Sequence, residues 1–361
     1  TKKPKFIRNL NMRILITGGA GYIGTHTAIN LLENGNDLEI IDSFYNSYPA
    51  AIKRLNYLKN ILKINSKFSI HNGDLRDQKF LEKIFFDAKK SNNPIEAVIH
   101  LAGLKSVGDS IKFPKKYWDF NVNGSLNLFK VMEKFECRNI VFSSSATIYK
   151  YQGKEVMLDE NAEIEPTNPY GQTKAEIEKI LQDINKEHFK KWRISILRYF
   201  NPIGSHPSGL IGEDPFGEPS NLFPAIIKVS SNQTRELKIF GHDWPTVDGT
   251  AIRDYIHVMD LAKAHYLALL KLMEFDSKLL ILNIGTGIGT SVLDLVNTFK
   301  SINKCDIPYS FTERRKGDFP FVVADNKMAE KILEWKPKRT IEEMCVDGWN
   351  WIKKNPNGYQ K

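Results

Sequence analysis

The amino-acid sequence predicts an α/β protein, in which a Rossmann-like, doubly wound parallel sheet carries a smaller, irregular α/β C-terminal lobe for a substrate. Two observations predict this fold class. Over the first 200 residues, short β-rich runs alternate with helical patterns, and most runs are continuously apolar, as expected of strands that helices cover on both faces. Beyond residue 200, prolines and glycines crowd the chain and the alternation becomes irregular.

Six runs are predicted to be strands of the sheet. They are RILIT (Arg13–Thr17), LEIID (Leu38–Asp42), FSI (Phe68–Ile70), AVIHLA (Ala97–Ala102), NIVFSSS (Asn139–Ser145) and ISILRYF (Ile194–Phe200). Helical patterns such as HTAINLLENG and NVNGSLNLFKVMEKF lie between them. Because such sheets bind ligands beyond the carboxyl ends of their strands, the polar residues that follow the strands form the candidate site.

The same pattern divides the chain into three parts. Residues 1–11 form a short basic arm, residues 12–200 form the cofactor-binding domain, and residues 201–361 supply most of the substrate lobe. No sharp linker or repeat separates the lobes, so the chain is free to cross between them.

Composition argues against several classes of protein. Hydrophobic residues at 42% and charged residues at 26% of 361 residues are ordinary for a soluble globular chain. No run approaches the roughly 20 apolar residues of a membrane span, and the N-terminus lacks the apolar core of a secretion signal. Cys137, Cys305 and Cys345 are odd in number and lack metal-ligand spacing. We therefore expect a cytoplasmic protein without a membrane partner or a metal.

The chain is basic, with 51 Lys and Arg against 42 Asp and Glu and a formal net charge of +9. A nucleic-acid partner would require these charges in a stripe interleaved with aromatic residues, whereas the lysines are scattered. We therefore expect no nucleic-acid partner, and a surface that attracts anionic small molecules.

A glycine turn follows the first predicted strand. ITGGAGYIG places Gly18, Gly21 and Gly24 at three-residue intervals, and a helix should begin near Tyr22. Glycine is needed where backbone approaches a pyrophosphate, and the helix N-terminus supplies N–H groups for the phosphates. Asp42 closes the second strand 18 residues after Gly24, a distance that suits an acid accepting from the adenosine ribose. A carboxylate there repels a 2′-phosphate, so NAD is favoured over NADP.

Asp74 follows the third predicted strand in GDLRD. With Leu75 it could contact the adenine, or it could only cap the next helix, and the sequence leaves both interpretations open.

Two residues of NPYGQTK and an upstream serine are predicted to act together in catalysis. A helix starting near Pro169 places Tyr170 and Lys174 at i, i+4, and Ser145 ends the fifth strand 25 residues before Tyr170. A tyrosine hydroxyl has a pKa near 10, too high for a base at neutral pH. The Lys174 ammonium and the positive nicotinamide of NAD should lower the pKa of Tyr170, while Ser145 hydrogen-bonds the oxygen being oxidised.

With the glycine turn, the Tyr-x-x-x-Lys pair and the upstream serine, the chain resembles the extended short-chain dehydrogenase/reductase family. The resemblance extends to the UDP-glucose 4-epimerases of that family and covers about Met12 to Tyr359. It is carried by ILITGGAGYIGTHT, VIHLAGLKSVGDS, FSSSATIY, NPYGQTK, LRYFNPIGSHPSG, GTAIRDYIHVMDLA and RRKGD. RYFNPIGSHPSG and DGTAIRDYIHVMDLA are the most specific stretches, because they belong to the substrate lobe.

The resemblance implies the residues of the site. Those expected to bind NAD are Gly18, Gly21, Tyr22, Ile23, Gly24, Asp42, Asn46, Ser47, Asp74, Leu75, Leu101, Ala102, Gly103, Lys105, Asn121, Ser143, Tyr170, Lys174, Tyr199 and Phe200. Those expected to bind a UDP-sugar are Lys105, Ser145, Tyr170, Asn201, Asn221, Leu222, Phe240, Arg253, Tyr255, Arg315, Asp318 and Val322. Arg253 and Arg315 would clamp the diphosphate, because planar guanidinium groups suit it, and Asp318 would accept from the uridine ribose.

The resemblance also implies the activity, which is interconversion of UDP-glucose and UDP-galactose by inversion at C4 through a 4-keto sugar. NAD is regenerated in each cycle and should stay tightly bound. Val322 stands where relatives carry either a bulky tyrosine or a much smaller residue, so partial acceptance of UDP-N-acetylhexosamines is expected. Lys150 replaces the glycine usual in relatives and could alter the loop that leads to the site.

Alternatives remain open from the sequence. A nucleotide-sugar dehydratase would need an acidic pair beside the serine, and SSSATIY provides none. A UDP-glucuronate epimerase or decarboxylase would need a cation near the sugar C6, which the sequence does not exclude. A non-catalytic NAD-sensing protein would usually lose Tyr170 or Lys174, and this chain keeps both.

A homodimer is the expected assembly. The helices predicted over Lys115–Phe135 and Tyr170–Asn185 could pair with their copies about a two-fold axis. The apolar face of the second helix could equally pack on its own sheet.

Overall fold

The computed structural model describes residues 11–151, 153, 155–187, 191–315 and 317–359. Residues 1–10 of the predicted basic arm lie outside the described residues.

The described chain alternates strand and helix through its first half, as predicted. In chain order the strands are β1 Arg13–Thr17, β2 Asp37–Asp42, β3 Phe68–Asn72, β4 Ala97–His100, β5 Asn139–Ser145, β6 Arg193–Tyr199, β7 Asn201–Ile203, β8 Leu237–Phe240, β9 Ile252–His257, β10 Lys278–Ile284, β11 Gly289–Ser291, β12 Tyr309–Thr312 and β13 Phe321–Val322. The α-helices are α1 Tyr22–Glu33, α2 Pro49–Ile61, α3 Gln78–Lys90, α4 Val107–Lys112, α5 Pro114–Tyr117, α6 Gly124–Lys134, α7 Pro169–Lys186, α8 Leu222–Ser230, α9 Val258–Leu272, α10 Val292–Asn303, α11 Lys327–Leu333 and α12 Ile341–Lys354.

Seven parallel strands form the main sheet in the order β10-β6-β5-β4-β1-β2-β3. Strand order reverses between β1 and β4, and the carboxyl edge at this switch point is where doubly wound sheets bind ligands. All six predicted strands are confirmed. The seventh, β10, comes from the part of the chain that the sequence assigns to the second lobe.

Alternate residues of each strand enter two different cores, which explains the continuous apolar runs. Ile14 and Ile16 of β1 pack with α1 and α9 on one face of the sheet. Leu15 packs with α3, α6 and α7 on the other face. Both faces of these strands are therefore covered, which favours apolar residues at successive positions.

Smaller elements form the second lobe. β9 is the central strand of a mixed sheet with β7, β11 and β13, and β8 pairs with β12. A separate apolar cluster that includes Phe223, Phe299 and Trp351 fills this lobe. The chain also crosses back, because α9 packs on α1, β5 and β6 of the main sheet.

Among the described helices, none is both long and apolar enough to cross a membrane.

Candidate active site

The glycine turn packs backbone against backbone at the switch point. Gly18 has φ +70°, and a Cβ there would lie 2.8 Å from the Cα and N atoms of Ala102. A Cβ on Gly24 would lie 2.3 Å from the carbonyl oxygen of Gly18. Helix α1 begins at Tyr22 as predicted, and its N-cap, Gly21, offers no side chain to its first N–H groups. Those N–H groups remain available to an anion.

Asp42 holds the glycine turn and the loop that follows β2. Its Oδ2 accepts from the backbone N–H of Ala20 at 2.9 Å. Its Oδ1 accepts from the backbone N–H of Phe44 at 2.9 Å and from Ser47 Oγ at 2.7 Å. The carboxylate therefore fixes both the glycine turn and the loop after β2, a role that the sequence did not predict.

Asp74 does not cap a helix, so that alternative is wrong. Asp77 caps α3 by accepting from the N–H of Phe80 at 3.0 Å. Asp74 accepts instead from the backbone N–H of Arg76 at 2.9 Å and from its guanidinium at 2.7 Å. The Arg76 guanidinium holds the pKa of Asp74 below its usual value.

Helix α7 presents the predicted Tyr-x-x-x-Lys pair. It starts at Pro169, and Asn168 caps it by accepting from the N–H of Gly171 at 2.9 Å. Lys174 is only 4% exposed, and its Nζ donates to the carbonyl oxygen of Ser143 at 2.7 Å. Burial lowers the pKa of Lys174 to about 8, and Glu178, one helical turn further on, opposes this shift.

Ser145 and Tyr170 meet as predicted, through a hydrogen bond that lowers the pKa of the tyrosine. Burial raises the pKa of Tyr170, however, and this effect exceeds that of Ser145. The pKa of Tyr170 is therefore raised in the protein without NAD, whereas the lowered pKa predicted from the sequence includes the positive charge of the nicotinamide. The Lys174 ammonium is hydrogen-bonded to Ser143 instead.

Asn121 ties the loop after β4 to α7. Its Oδ1 accepts from the N–H of Leu104 at 2.8 Å, and its Nδ2 donates to the Leu104 carbonyl at 3.1 Å. Nδ2 also donates to Thr173 Oγ1 at 3.0 Å, and Thr173 donates to the carbonyl of Tyr170 at 2.8 Å. Asn121 lies in a π-helical turn, Trp118–Asn123, which the sequence did not predict. Such turns are frequent at functional sites.

His100 extends this network to the glycine-turn strand, and the sequence did not single it out. Its Nδ1 lies 2.7 Å from Thr17 Oγ1, and its Nε2 lies 2.8 Å from Ser125 Oγ. Thr17 accepts from the N–H of Ala102, and Ser125 donates to the carbonyl of Asn121. These directions are consistent with a neutral imidazole protonated at Nε2. Burial and nearby Lys174 lower the pKa of His100 to about 3.

A buried ion pair joins α7 to β6. Glu178 and Arg198 have side chains that are 1% and 2% exposed and approach to 2.7 Å. Arg198 also donates to Tyr149 Oη at 2.9 Å and to the carbonyl of Glu160 at 2.9 Å. Ser144, next to Ser145, donates to Glu178. No sequence motif indicated this pair.

The other residues predicted at the nicotinamide end make contacts with different parts of the structure. The backbones of Leu101 and Ala102 bond to Thr17, and Lys105 forms an ion pair of 3.4 Å with Glu213 of the second lobe. The Tyr199 hydroxyl is hydrogen-bonded to His265 on α9, so its side chain turns into the core. Phe200 is buried in a small cluster that Val322 also contacts.

Two contacting pairs are found among the predicted UDP-sugar residues of the second lobe. Arg315 stacks on Phe240, with its Cζ 3.7 Å from the ring centroid. Arg315 also donates to the carbonyl of Ser220, adjacent to Asn221 at the N-terminus of α8, at 2.9 Å. Arg253 and Asp318 approach to 3.4 Å.

Three further predicted residues complete this arrangement. Asn201 donates from Nδ2 to the carbonyl of Asp254 at 3.1 Å, and Val322 pairs with Arg253 across β13 and β9. Tyr255 is buried on β9, and burial raises its pKa above the usual value.

Comparisons with known proteins agree with this geometry. The NAD dependent epimerase/dehydratase family model matches residues 14–285. UDP-glucose 4-epimerase 2 of Arabidopsis thaliana is 47% identical over 96% of this chain and 96% of its own length. Bifunctional UDP-glucose 4-epimerase and UDP-xylose 4-epimerase 3 of the same plant is 47% identical over 98% and 99%. The crystal structure of UDP-glucose 4-epimerase from Bifidobacterium longum in complex with NAD⁺ and UDP superposes with a TM-score of 0.88 at 42% identity, covering 96% of this chain and all of that one.

Proposed function

The chain belongs to the NAD dependent epimerase/dehydratase family, and we propose that it is an isomerase that interconverts UDP-glucose and UDP-galactose by inverting the sugar at C4. The observation that carries this proposal is the convergence of Tyr170, Ser145 and Lys174 at the sheet edge that also bears the glycine turn. Relatives matched over nearly their full length are named for this reaction.

The turn after β1 fits the dinucleotide NAD. A side chain at Gly18 or Gly24 would collide with backbone atoms, and the first turn of α1 leaves its N–H groups to a phosphate. Asp42 would accept from the adenosine ribose, and its charge disfavours the extra phosphate of NADP. When bound, NAD supplies the acceptor and then the donor of the sugar C4 hydride.

Tyr170 moves the proton. It takes the proton of the sugar 4-hydroxyl as the carbonyl forms and returns it after the 4-keto sugar has turned its other face. Because burial raises the pKa of Tyr170, ionisation requires nearby positive charge. Lys174 and an oxidised nicotinamide both supply such charge. Ser145 hydrogen-bonds the oxygen whose bond order changes.

The second lobe holds the nucleotide while the hexose turns. Phe240 would lie beside the uracil, Arg253 and Arg315 would bind the diphosphate, and Asp318 would accept from the ribose. Binding energy taken from the UDP portion retains the keto sugar and leaves its ring free to rotate.

A direct experiment tests the function. Purified protein mixed with UDP-galactose should form UDP-glucose without added reductant. Tyr170→Phe should retain bound NAD and lose about 10²–10⁴-fold in turnover, the range expected when a general acid–base is removed. Absence of UDP-glucose in the wild-type reaction would refute the proposal.

Val322 is proposed to set the size of sugar that the site accepts. It lies on β13 against a cluster that contains Phe200 and Tyr149. A valine leaves more room than a tyrosine, so we propose partial turnover of UDP-N-acetylglucosamine. UDP-xylose belongs in the same substrate panel, because a relative at 47% identity is named for both activities. No detectable turnover of UDP-N-acetylglucosamine would contradict the assignment of Val322.

We further propose a homodimer. In α7, Ile177 and Leu181 pack on the chain's own sheet, so that apolar face is unavailable to a second copy. A different surface remains, which is an open groove of about 490 Å³ lined in part by Trp118, Ala175 and Lys179. Sedimentation velocity should give twice the 41.4 kDa chain mass.

A cytoplasmic location is proposed from cysteine usage. Cys137, Cys305 and Cys345 are all free thiols, as is usual in a reducing compartment.

A further inference from the structure

Four side chains from three separate segments meet beside the predicted adenosine site. They are Tyr45 after β2, Arg76 after β3, and Lys116 and Phe120 in the α5–π-helical segment, and we call them the adenosine clasp. We propose that this clasp closes the adenosine half of the cofactor site and slows the release of NAD. The inference rests on the proposed NAD-dependent function and adds residues that neither the family motifs nor the predicted site include.

The clasp is a continuous series of ring and cation contacts. The Tyr45 and Phe120 ring centroids are 5.4 Å apart at an interplanar angle of 56°. Arg76 Cζ lies 3.6 Å from the centroid of Phe120. Lys116 Nζ lies 4.5 Å from the centroid of Tyr45 and also donates to its hydroxyl. Each contact is of a kind that is attractive even at a solvent-exposed site.

The clasp is positioned by residues that are themselves predicted to contact NAD. Asp42 accepts from Phe44 and Ser47, on either side of Tyr45, and so fixes the loop that presents this ring. Phe44 has φ +52°, a left-handed conformation that turns the chain sharply just before Tyr45.

The other two segments are fixed in the same way. Arg76 directly follows Leu75, and its ion pairs with Asp74 at 2.7 Å and Asp119 at 2.5 Å join the loop after β3 to the π-helical turn. Phe120 directly precedes Asn121, whose amide holds the loop after β4. The clasp therefore spans the carboxyl ends of β2 and β3, beyond which the adenosine of a dinucleotide lies in this kind of sheet.

The solvent exposure of the clasp indicates that its contacts close the cofactor site and do not stabilise the buried core. Tyr45 is 52% exposed, so its ring contributes little to the buried core. Its contacts bridge segments that are distant in sequence, and a dinucleotide leaving from beneath them would have to separate those segments. The epimerisation cycle regenerates NAD, so slow release has no cost for turnover.

The test measures exchange of the cofactor, not activity. Purified holoenzyme carrying its own NAD is mixed with excess radiolabelled NAD, and incorporation of label reports the release rate. Tyr45→Ala and Phe120→Ala should each release NAD on the order of tenfold faster than wild type, which corresponds to about 1.4 kcal/mol. The double variant should release NAD more slowly than the product of the two single effects predicts, because both changes remove the shared contact between Tyr45 and Phe120.

Two controls separate the clasp from general loosening. Tyr45→Phe keeps the ring contacts and loses only the hydroxyl contact with Lys116, so it should release NAD closer to the wild-type rate than Tyr45→Ala does. Tyr57→Ala removes another exposed tyrosine, 58% exposed on α2, and should leave release unchanged. Thermal unfolding of every variant is measured alongside.

The outcomes are distinct. Release unchanged in Tyr45→Ala, or equally accelerated in Tyr57→Ala, would overturn the clasp. Wild-type protein that neither carries nor binds NAD would instead refute the proposed function itself. Faster release that merely follows a fall in melting temperature across all variants, Tyr57→Ala included, would also overturn it.

Discussion

Charge at a single side chain, Lys174, decides how the proposed base works. The lysine is buried and its ammonium is held by the Ser143 carbonyl. His100 on β4 is kept neutral close by, and the buried Glu178 of α7 is paired with Arg198 of β6. The neighbouring His100 is neutral and the charge of Arg198 is paired with Glu178, so neither group places an unpaired positive charge beside Lys174. This arrangement keeps the ammonium available to stabilise a Tyr170 phenolate.

The lowered pKa of Lys174 predicts an alkaline limit to turnover. Its pKa is about 8, so the ammonium is present below that pH and is lost as pH rises through it. Once Lys174 is neutral, the phenolate of Tyr170 loses its nearest cationic support. We expect kcat to fall above about pH 8, approaching tenfold per pH unit, in a profile measured from pH 6 to 10.

Lys174→Arg is the matched control for this prediction. Arginine keeps its charge throughout this pH range, so whatever turnover the variant retains should lack the alkaline fall. A wild-type kcat that stays level up to pH 10 would contradict the role assigned to Lys174.

At the scale of elements, α7 connects the proposed catalytic residues to the buried core. Its first two turns carry Tyr170 and Lys174, its third carries Glu178, and its apolar face packs on the sheet. The Glu178–Arg198 pair joins this helix to β6, and Ser144 joins it to β5. The helix is thereby fixed against the strand that presents Ser145.

Removing one partner of the Glu178–Arg198 pair should lower the free energy of unfolding more than replacing both partners with apolar residues. Glu178→Leu leaves Arg198 buried without its partner and should lower the free energy of unfolding by about 3–5 kcal/mol. Glu178→Leu combined with Arg198→Met removes both charges and should cost less than the single change. Denaturant unfolding of Glu178→Leu, Arg198→Met and the double variant measures the three losses. A double variant whose loss equals the sum of the two single losses would show that the residues do not act as a pair.

The same elements show what sequence reasoning can and cannot reach. The six strands and the start of α7 were predictable, because continuous apolar runs and the Asn168–Pro169 cap are local signals. The π-helical turn at Trp118–Asn123 leaves no such signal, and the sequence predicted an uninterrupted helix over Lys115–Phe135. The salt bridges of Lys150 to Glu163 and Glu165, at 3.0 and 2.7 Å, likewise depend on a loop path that only the fold supplies.

At the scale of the whole molecule, the two lobes are interwoven rather than joined by a linker. β10 and α9 belong in sequence to the second half, yet they complete the main sheet and cover one of its faces. The sequence leaves the chain free to cross between the lobes, but sequence order alone does not show which elements cross. The site residues of the second lobe could be foreseen only through family resemblance, because spacing carries no information about which loops meet.

Burial of neutral histidines predicts acid sensitivity of the whole fold. Burial lowers the pKa of His26 and of His100 to about 3 and that of His265 to about 4. Between those values and about 6.5, the unfolded chain binds protons that the folded chain excludes, so stability falls as pH falls. Each histidine should lower the free energy of unfolding by about 1.4 kcal/mol for each pH unit below pH 6.5.

Urea unfolding at pH 7.0, 6.0 and 5.0 measures this slope. His26→Leu is an informative variant, because in the described structure His26 Nε2 has no hydrogen-bond partner. The change in the free energy of unfolding with pH should be smaller in His26→Leu by about 1.4 kcal/mol per pH unit, the contribution of one histidine. Stability that is independent of pH between 7 and 5 would contradict the assignment of these histidines as buried and neutral.

In the proposed cycle, one hydride leaves C4 and returns to the same carbon within a single protein molecule. UDP-galactose deuterated at C4 is incubated with the holoenzyme in ordinary water containing added free NAD, and the UDP-glucose formed is analysed by mass spectrometry and NMR. We expect deuterium to be retained in full at C4 of the product. Deuterium lost to water, or found in the free NADH pool, would contradict a bound cofactor that takes up and returns the hydride.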